Sequence, residues 1–152
     1  MVVMFLITIF LAVAIPRFNA GFAQDPVKKT TRWIVNTTRT LRSDAVRMQK
    51  MQSLVVDLNN NRMWIVNESM NEEALAAASE KAFKLPSAIK VLDVEYSHAD
   101  RVSAGTAEIN FYPAGYADNS IIHLEEDENQ RYSILVEPLL PKIKVIEEWL
   151  TF

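Results

Sequence analysis

The amino-terminal run Met1–Ile15 reads MVVMFLITIFLAVAI, and Thr8 supplies its one side-chain hydroxyl. A helix made from such a run is apolar on every side, which is stable only inside a large core, in lipid, or among similar helices. A chain of 152 residues offers no core large enough to surround it. The run therefore predicts a helix that lies in a membrane or in a bundle of like helices.

The run is short for a membrane crossing. At ~1.5 Å per residue, fifteen helical residues span roughly 22 Å, against the ~30 Å of a bilayer's hydrocarbon layer. About five or six more helical residues would close this gap. We therefore expect the gene to begin upstream of Met1, with a short basic leader ahead of the apolar segment.

The rest of the chain is long enough for one compact domain with its own core. Its charge is uneven. Residues 17–50 hold eight Lys and Arg against two Asp, about +6, whereas residues 51–152 hold eight against seventeen Asp and Glu, about −9. Such a dipolar chain can associate with copies of itself, or its basic segment can lie against anionic lipid or nucleic acid. There is no cysteine, so neither disulfides nor thiolate metal sites are available.

Three regions follow from the pattern. Residues 1–16 form the apolar helix, and residues 27–152 form the domain. Residues 17–26 are predicted to be a hinge or a plain linker, because Pro16 and Pro26 bound this stretch and Gly21 lies within it. Within the domain, apolar residues spaced by seven predict an amphipathic helix from Val27 to about Met51. The stripe that we expect to pack on the domain consists of Val27, Ile34, Leu41 and Met48.

Short strands dominate the remainder. Three asparagines, residues 59–61, separate two runs of strand formers and predict a hairpin over Leu54–Val66, with Trp64 buried under the helix stripe. An alanine-rich segment, Asn71–Lys84, predicts a short surface helix. Further strands are predicted at Ile89–Tyr96, Thr106–Tyr112, Ile121–Leu124, Tyr132–Val136 and Lys142–Ile146. The fold class is α+β, with a helix covering antiparallel strands.

The sequence gives little support to catalysis. His98 and His123 stand in no nucleophile or metal spacing and are expected to be surface or strand residues. Three glycines in the whole chain exclude a P-loop and a dinucleotide fingerprint. We expect a protein that is not an enzyme and has no cofactor.

Two charged features are candidate binding sites. Glu125 and Asp127 lie in an acidic run that offers oxygen ligands to Ca²⁺, although a solvated hairpin turn has the same composition and is favoured. The basic face of the amphipathic helix offers contacts to phosphate groups. Its residues are Lys28, Arg32, Arg39 and Arg42.

Three stretches of the sequence resemble one family. VVMFLITIFLAVAIPRF is similar to the amino-terminal helix of type IV pilins and type II secretion pseudopilins, which also ends in a small–apolar–Pro–polar–aromatic step. LRSDAVRMQKMQSLVVDLNNNRMWIV resembles the helix-to-hairpin junction of the GspH/FimT branch. INFYPAGYADNSIIHLEED and RYSILVEP resemble the later strands of that branch. The resemblance implies a minor pseudopilin, with a long amino-terminal α-helix followed by a β-rich antiparallel globular domain.

The resemblance also implies partners and a location. Other pseudopilins, major and minor, would bind through the amino-terminal helix, which would also contact inner-membrane lipid as a single pass, with the carboxy-terminal domain in the periplasm. Neither a small-molecule substrate nor nucleic acid is expected as a partner. The residues that would pack in the membrane or filament are Val3, Phe5, Leu6, Ile9, Phe10, Val13, Pro16 and Phe18.

One departure from the family pattern concerns processing. The family's signal is a glycine followed by a phenylalanine-led segment with a glutamate at its fifth position, and these residues do not precede Met1. We expect the chain to begin just past that glutamate, so that the cleaved bond and the methylated amino terminus lie upstream.

Two other functions stay open from the sequence. One is a minor type IV pilin, similar to FimT, that binds DNA for uptake through the basic helix. The other is a soluble periplasmic domain released by signal peptidase, since Gly21 and Ala23 place small residues at the inspected positions.

Overall fold

The structure is a computed structural model that describes residues 25–127, 130–140 and 143–152. The predicted apolar helix and residues 17–24 of the predicted hinge lie outside the described residues. The described chain has two helices and eight strands. In chain order they are α1 (Pro26–Met48), β1 (Gln52–Asp57), β2 (Arg62–Asn67), α2 (Glu72–Glu80), β3 (Phe83–Lys84), β4 (Ile89–Tyr96), β5 (Thr106–Phe111), β6 (Ser120–Glu126), β7 (Gln130–Val136) and β8 (Lys144–Ile146).

Local chemistry sets both ends of α1. Asp25 is the N-cap, and its carboxylate accepts hydrogen bonds from the backbone N–H groups of Val27 and Lys28 at 3.1 and 3.3 Å. Pro26 occupies the first turn, where its missing N–H costs nothing. Gln49 adopts the left-handed conformation, with φ at 52°, and ends the helix three residues before the predicted end.

The buried side of α1 follows the predicted stripe for most of its length. Val27, Ile34 and Leu41 are buried, together with Ala45. Met48 is 46% exposed and does not belong to the buried stripe, contrary to the sequence interpretation. A seven-residue repeat drifts by about 20° per heptad on a straight α-helix, so three heptads carry Met48 roughly 60° away from the face that Val27 occupies.

The strands form two antiparallel four-stranded sheets. The first has the order β3-β2-β1-β5 and the second has the order β4-β6-β7-β8. Helix α1 packs on β1 and β5 of the first sheet, and one cluster of buried side chains joins α1 to both sheets. The fold is therefore α+β, as the sequence predicts.

The β1–β2 hairpin has the predicted position but the opposite face inward. Val56 pairs with Met63, and both belong to the main core cluster. Val55 pairs with Trp64, whose indole is partly exposed and lies 5.2 Å from the guanidinium of Arg62. The prediction that Trp64 is buried under the helix stripe is wrong, because a shift of one residue exchanges the two faces of a strand.

The other elements differ from prediction mainly in length. Helix α2 covers residues 72–80 of the predicted 71–84, because the chain then turns back to place β3 beside β2. In the described structure α2 buries none of its side chains. Strands β4 to β7 lie at the predicted positions, and β6 extends two residues further than predicted, through Glu126. The last strand is Lys144–Ile146, shorter than the predicted Lys142–Ile146.

The turn between β1 and β2 is fixed by Asp57. Its carboxylate, which is nearly inaccessible to solvent, accepts hydrogen bonds from the backbone and side-chain amides of Asn60 at 3.0 and 2.8 Å and from Arg62 Nε at 2.9 Å. Burial alone raises the pKa of Asp57, but the hydrogen bonds from Asn60 and Arg62 outweigh burial, and the net pKa is lowered.

The lowered pKa of Asp57 predicts a loss of stability in acid. A carboxyl group whose pKa is lower in the folded state stabilises the fold at pH values above its unfolded pKa of about 3.9, and that contribution is lost as the pH falls through the folded value. We expect Asp57→Asn to lower the free energy of unfolding at neutral pH by about 1–3 kcal/mol and to flatten its decline below about pH 4. Urea unfolding at a series of pH values measures both effects. An unchanged pH profile in the variant would contradict the assignment.

Candidate functional site

The exposed side of α1 carries most of the basic residues of the amino-terminal half. Lys28, Arg32 and Arg39 project into solvent along this side, and so does Arg47 near the helix end. Their spacing places them opposite the buried stripe, because residues three, four and seven apart share one helix face. The structure thus presents a row of exposed basic residues, which we call the basic face of α1, on the side of the helix opposite its buried stripe.

The first turns of α1 form one wall of an open groove. Lys28, Lys29 and Arg32 line it together with Trp33, and β3 supplies Phe83 on the other side. The groove encloses about 400 Å³. The rings of Trp33 and Phe83 stack with centroids 4.3 Å apart and an angle of 9° between their planes, so they join the helix to β3. Two of the four predicted phosphate contacts, Lys28 and Arg32, therefore meet in one cavity.

Arg42 has a different role from the other basic residues. Its guanidinium donates hydrogen bonds to the backbone carbonyls of Pro138 at 3.0 Å and Glu137 at 2.7 Å, just after β7. Burial lowers the pKa of Arg42 from its usual value, although a guanidinium keeps its charge under all ordinary conditions. Arg42 thus ties α1 to the second sheet, and its donors are already used within the fold. Lys28 is also engaged, at 3.2 Å from the Asp25 carboxylate.

Acidic residues are concentrated on other surfaces. Glu72 and Glu73 begin α2 and are exposed, in the position where a helix dipole favours negative charge. Glu68 lies exposed beside them at the end of β2. The basic face of α1 and this acidic surface lie on different elements of the domain.

The acidic run near β6 lies mostly in the sheet. Glu125 and Glu126 are the last residues of β6, and only Asp127 of the described residues lies in the turn. Glu125 is 3.4 Å from Arg131 Nε. Across residues 25–127, 130–140 and 143–152, no three His, Cys, Asp or Glu side chains come close enough to hold a metal ion together. A calcium-binding role for Glu125 and Asp127 stays a prediction.

The two histidines have contrasting surroundings. His98 is exposed and lines an open groove of about 300 Å³ with Tyr96, Glu108 and Asp118. The hydroxyl of Tyr96 donates to the carbonyl of Glu108 at 2.8 Å, and burial raises the pKa of Tyr96 to about 12, so this phenol stays neutral at physiological pH.

His123 is fully buried in β6. One sequence signal for this burial is the apolar context of His123, which follows Ile121 and Ile122 and precedes Leu124, as in a strand that is buried on both faces.

The predicted membrane and filament residues, Val3 to Phe18, lie outside the described residues. Among the helices that the structure does describe, none combines the length and the apolar character needed to cross a membrane.

The fold places the chain in a known structural class. No family model matches the sequence, and no curated protein sequence matches it. Two solved structures share its arrangement of an amino-terminal helix and two antiparallel sheets, and the chain therefore has the pilin-like fold of a pseudopilin. Both are structures of the minor pseudopilin EpsH from the type II secretion system of Vibrio cholerae.

The match extends over nearly all of the EpsH domain. The first structure aligns with a TM-score of 0.61 at 7% identity, covering 85% of this chain and 99% of the EpsH chain. The second aligns with a TM-score of 0.57 at 7% identity, covering 81% and 98%. The family resemblance of the sequence is thus confirmed at the level of the fold.

Proposed function

We propose that this chain is a structural minor pseudopilin of a type II secretion system and not an enzyme. The observation that carries the proposal is the fold likeness to EpsH, which spans 99% of that chain. The resemblance of Met1–Phe18 to the pseudopilin helix supports it independently, because that segment did not contribute to the described fold. The subunit would assemble through its amino-terminal helix to support protein export.

The proposed anchor is the apolar run. Val3, Phe5, Leu6, Ile9, Phe10 and Val13, followed by Pro16 and Phe18, would pack first against inner-membrane lipid and then against the helices of other pseudopilins. Asp25, the first described residue, caps α1 nine residues after Pro16. The basic face of α1 would therefore continue the assembly surface directly beyond the membrane, with the sheets in the periplasm.

Charge supplies a means of setting the order of subunits. Apolar side chains gain little on leaving lipid for one another, so helix association there depends on close packing and polar contacts. Beyond the lipid, Arg32 and Arg39 project from α1 into solvent. Among the described residues, neither guanidinium forms an ion pair within the domain, so both are available to a neighbouring subunit. Opposed charges on neighbouring subunits select partners and registers more than they add affinity.

A crosslinking experiment in the encoding bacterium tests this assembly. We expect a photoreactive amino acid at Arg39, on the basic face, to crosslink the subunit to other pseudopilins, and deletion of the gene to reduce type II export. His98 is the control position, because it is exposed and belongs to neither the basic face nor the acidic surface of α2. Export that is unaffected by the deletion, together with equal or absent crosslinking at both positions, would contradict the proposal.

DNA uptake is the alternative that the same face of α1 suggests. Of the four predicted phosphate contacts, Arg42 is bound to backbone carbonyls and Lys28 is paired with Asp25, which leaves Arg32 and Arg39. A DNA-binding assay on the full-length protein in detergent tests this alternative. Retention of duplex DNA at physiological salt, with an affinity that falls steeply as salt rises, would favour uptake over secretion.

The signal-peptide alternative has a different test. A mature amino terminus at Gln24 would favour it.

A further inference from the structure

The carboxy-terminal segment, residues 147–152, covers the outer face of the second sheet. In β6, Ile122 and Leu124 belong to the main core cluster, so His123 points to the opposite face of the sheet. His123 is nevertheless 0% exposed. The segment that buries it follows β8, and we call it the C-terminal clasp.

Contacts from three strands of the second sheet fasten the clasp. In β4, the carboxylate of Glu95 accepts a hydrogen bond from the N–H of Phe152 at 3.4 Å. The hydroxyl of Ser133 in β7 donates to the carbonyl of Glu148 at 2.6 Å and accepts from the N–H of Leu150 at 2.9 Å. The indole of Trp149 stacks on the imidazole of His123, with ring centroids 3.9 Å apart and an angle of 9° between the planes. Ser133 and His123 are directly paired across β6 and β7, so both contacts hold the clasp at one point of the sheet.

The hydrogen bonds of His123 require two protons. Nδ1 lies 2.6 Å from Oδ1 of Asp93 in β4, and Nε2 lies 2.8 Å from the carbonyl oxygen of Leu150 in the clasp. A carbonyl oxygen only accepts, and so does an ionised carboxylate, whereas a neutral imidazole carries a single N–H. Both bonds form together only when the His123–Asp93 pair holds two protons, as imidazolium with carboxylate or as imidazole with carboxylic acid.

The surrounding charges are consistent with a doubly protonated pair. Arg101 lies 2.6 Å from Glu95 and 3.8 Å from Asp93, and Arg131 lies 3.4 Å from Glu125. Both guanidinium groups also approach the outer face of Trp149, at 5.7 and 5.2 Å from the ring centroid. Three carboxylates thus lie close to two guanidinium groups around the buried pair. The clasp's own acids, Glu147 and Glu148, are exposed residues at its start.

We propose that the C-terminal clasp is a proton-dependent closure of the second sheet. It is closed while the His123–Asp93 pair holds two protons. When a rise in pH removes one proton, one of the two hydrogen bonds of His123 loses its donor. Two acceptor atoms then face each other in a buried site, and this arrangement is strongly unfavourable. The bond to Leu150 is the one that breaks, since Asp93 is held in the β4–β6 ladder whereas Leu150 lies in a segment without helix or strand. Opening would expose Ile121 and His123 on the outer face of the sheet.

Nuclear magnetic resonance on the full-length chain in detergent micelles tests the proposal directly. We expect ¹⁵N spectra at about pH 5 to show a proton on both Nε2 and Nδ1 of His123, or one on Nε2 and one on Asp93, and to show one fewer proton at about pH 8.5. The protection of the Leu150 amide, measured as its exchange rate relative to an unfolded peptide at the same pH, should fall by about tenfold or more between these values. His98 is the internal control, because it is exposed and the described structure gives it no hydrogen bond to the clasp.

Two variants separate a proton switch from simple packing. In His123→Gln the side chain does not titrate, so Leu150 protection should become independent of pH. Ser133→Ala removes an attachment of the clasp that does not involve His123, and it should lower Leu150 protection at both pH values while the ratio between them is kept. A single proton on the His123–Asp93 pair at both pH values in the wild type overturns the proposal. The same pH ratio in His123→Gln as in the wild type also overturns it.

Discussion

Replacement of Met63 by alanine is expected to lower the free energy of unfolding by about 2–5 kcal/mol, the range typical of truncating a large buried side chain. Met63 is 0% exposed and belongs to the cluster that joins α1 to both sheets. It pairs with the buried Val56, one position from the turn end of the β1–β2 hairpin, and in such a close-packed core neighbouring side chains cannot easily move into the space that the truncation leaves. Urea unfolding of the full-length chain in detergent measures the change.

Trp64→Ala is the matched control for Met63→Ala, since the two residues are neighbours on opposite faces of β2. Trp64 is partly exposed, and the guanidinium of Arg62 stacks above its ring at 5.2 Å. Loss of this exposed cation–π contact and of part of the buried ring area should cost about 1–2 kcal/mol. A larger loss for Trp64→Ala than for Met63→Ala would show that Trp64, and not Met63, faces the core.

Arg42→Ala is expected to be nearly as damaging, with a loss of about 2–4 kcal/mol. Hydrogen bonds from charged donors contribute about 1.5–3 kcal/mol each when removed, and the substitution leaves the carbonyls of Glu137 and Pro138 without the donors they now have. The change also removes the apolar stem of the side chain from the contact between α1 and the second sheet. Thermal unfolding followed by circular dichroism measures the effect.

Arg39 provides the comparison for Arg42. It lies on the same helix, has the same side chain and is exposed, so Arg39→Ala should change stability by less than about 0.5 kcal/mol. In a DNA-uptake protein we would expect the reverse order for DNA binding, with Arg39→Ala losing more affinity for DNA than Arg42→Ala. Equal and small stability losses for both variants would mean that Arg42 does not hold α1 to the second sheet.

The elements of the fold were predictable because each has a local cause. Asp25 and Pro26 mark the start of α1, and the asparagines at residues 59–61 mark the hairpin turn, where Asn61 adopts a positive φ of 53°. The inward face of β2 was not predictable in the same way. Large apolar residues occupy both of its faces, Met63 on one and Trp64 on the other, so alternation alone could not choose between them.

The contacts of Arg42 and His123 join parts of the chain that are far apart in the sequence. Arg42 binds carbonyl groups 95 and 96 residues away, and His123 binds Asp93 and Leu150 at separations of 30 and 27 residues. Nothing in the spacing of a helix or a strand encodes such pairs. The sequence therefore indicated a basic helix but could not show that Arg42, one of its four candidate phosphate contacts, belongs to the internal structure of the domain.

The Arg42 contact also determines how the domain bears mechanical load. A pull along the axis of α1 reaches the second sheet through the guanidinium, at the residues that directly follow β7. Strand β7 lies inside its sheet, hydrogen-bonded to β6 on one side and to β8 on the other. Tension is therefore shared by two ladders of backbone hydrogen bonds and does not peel a single edge strand away. We therefore expect a pull on α1 to move the second sheet without separating its strands.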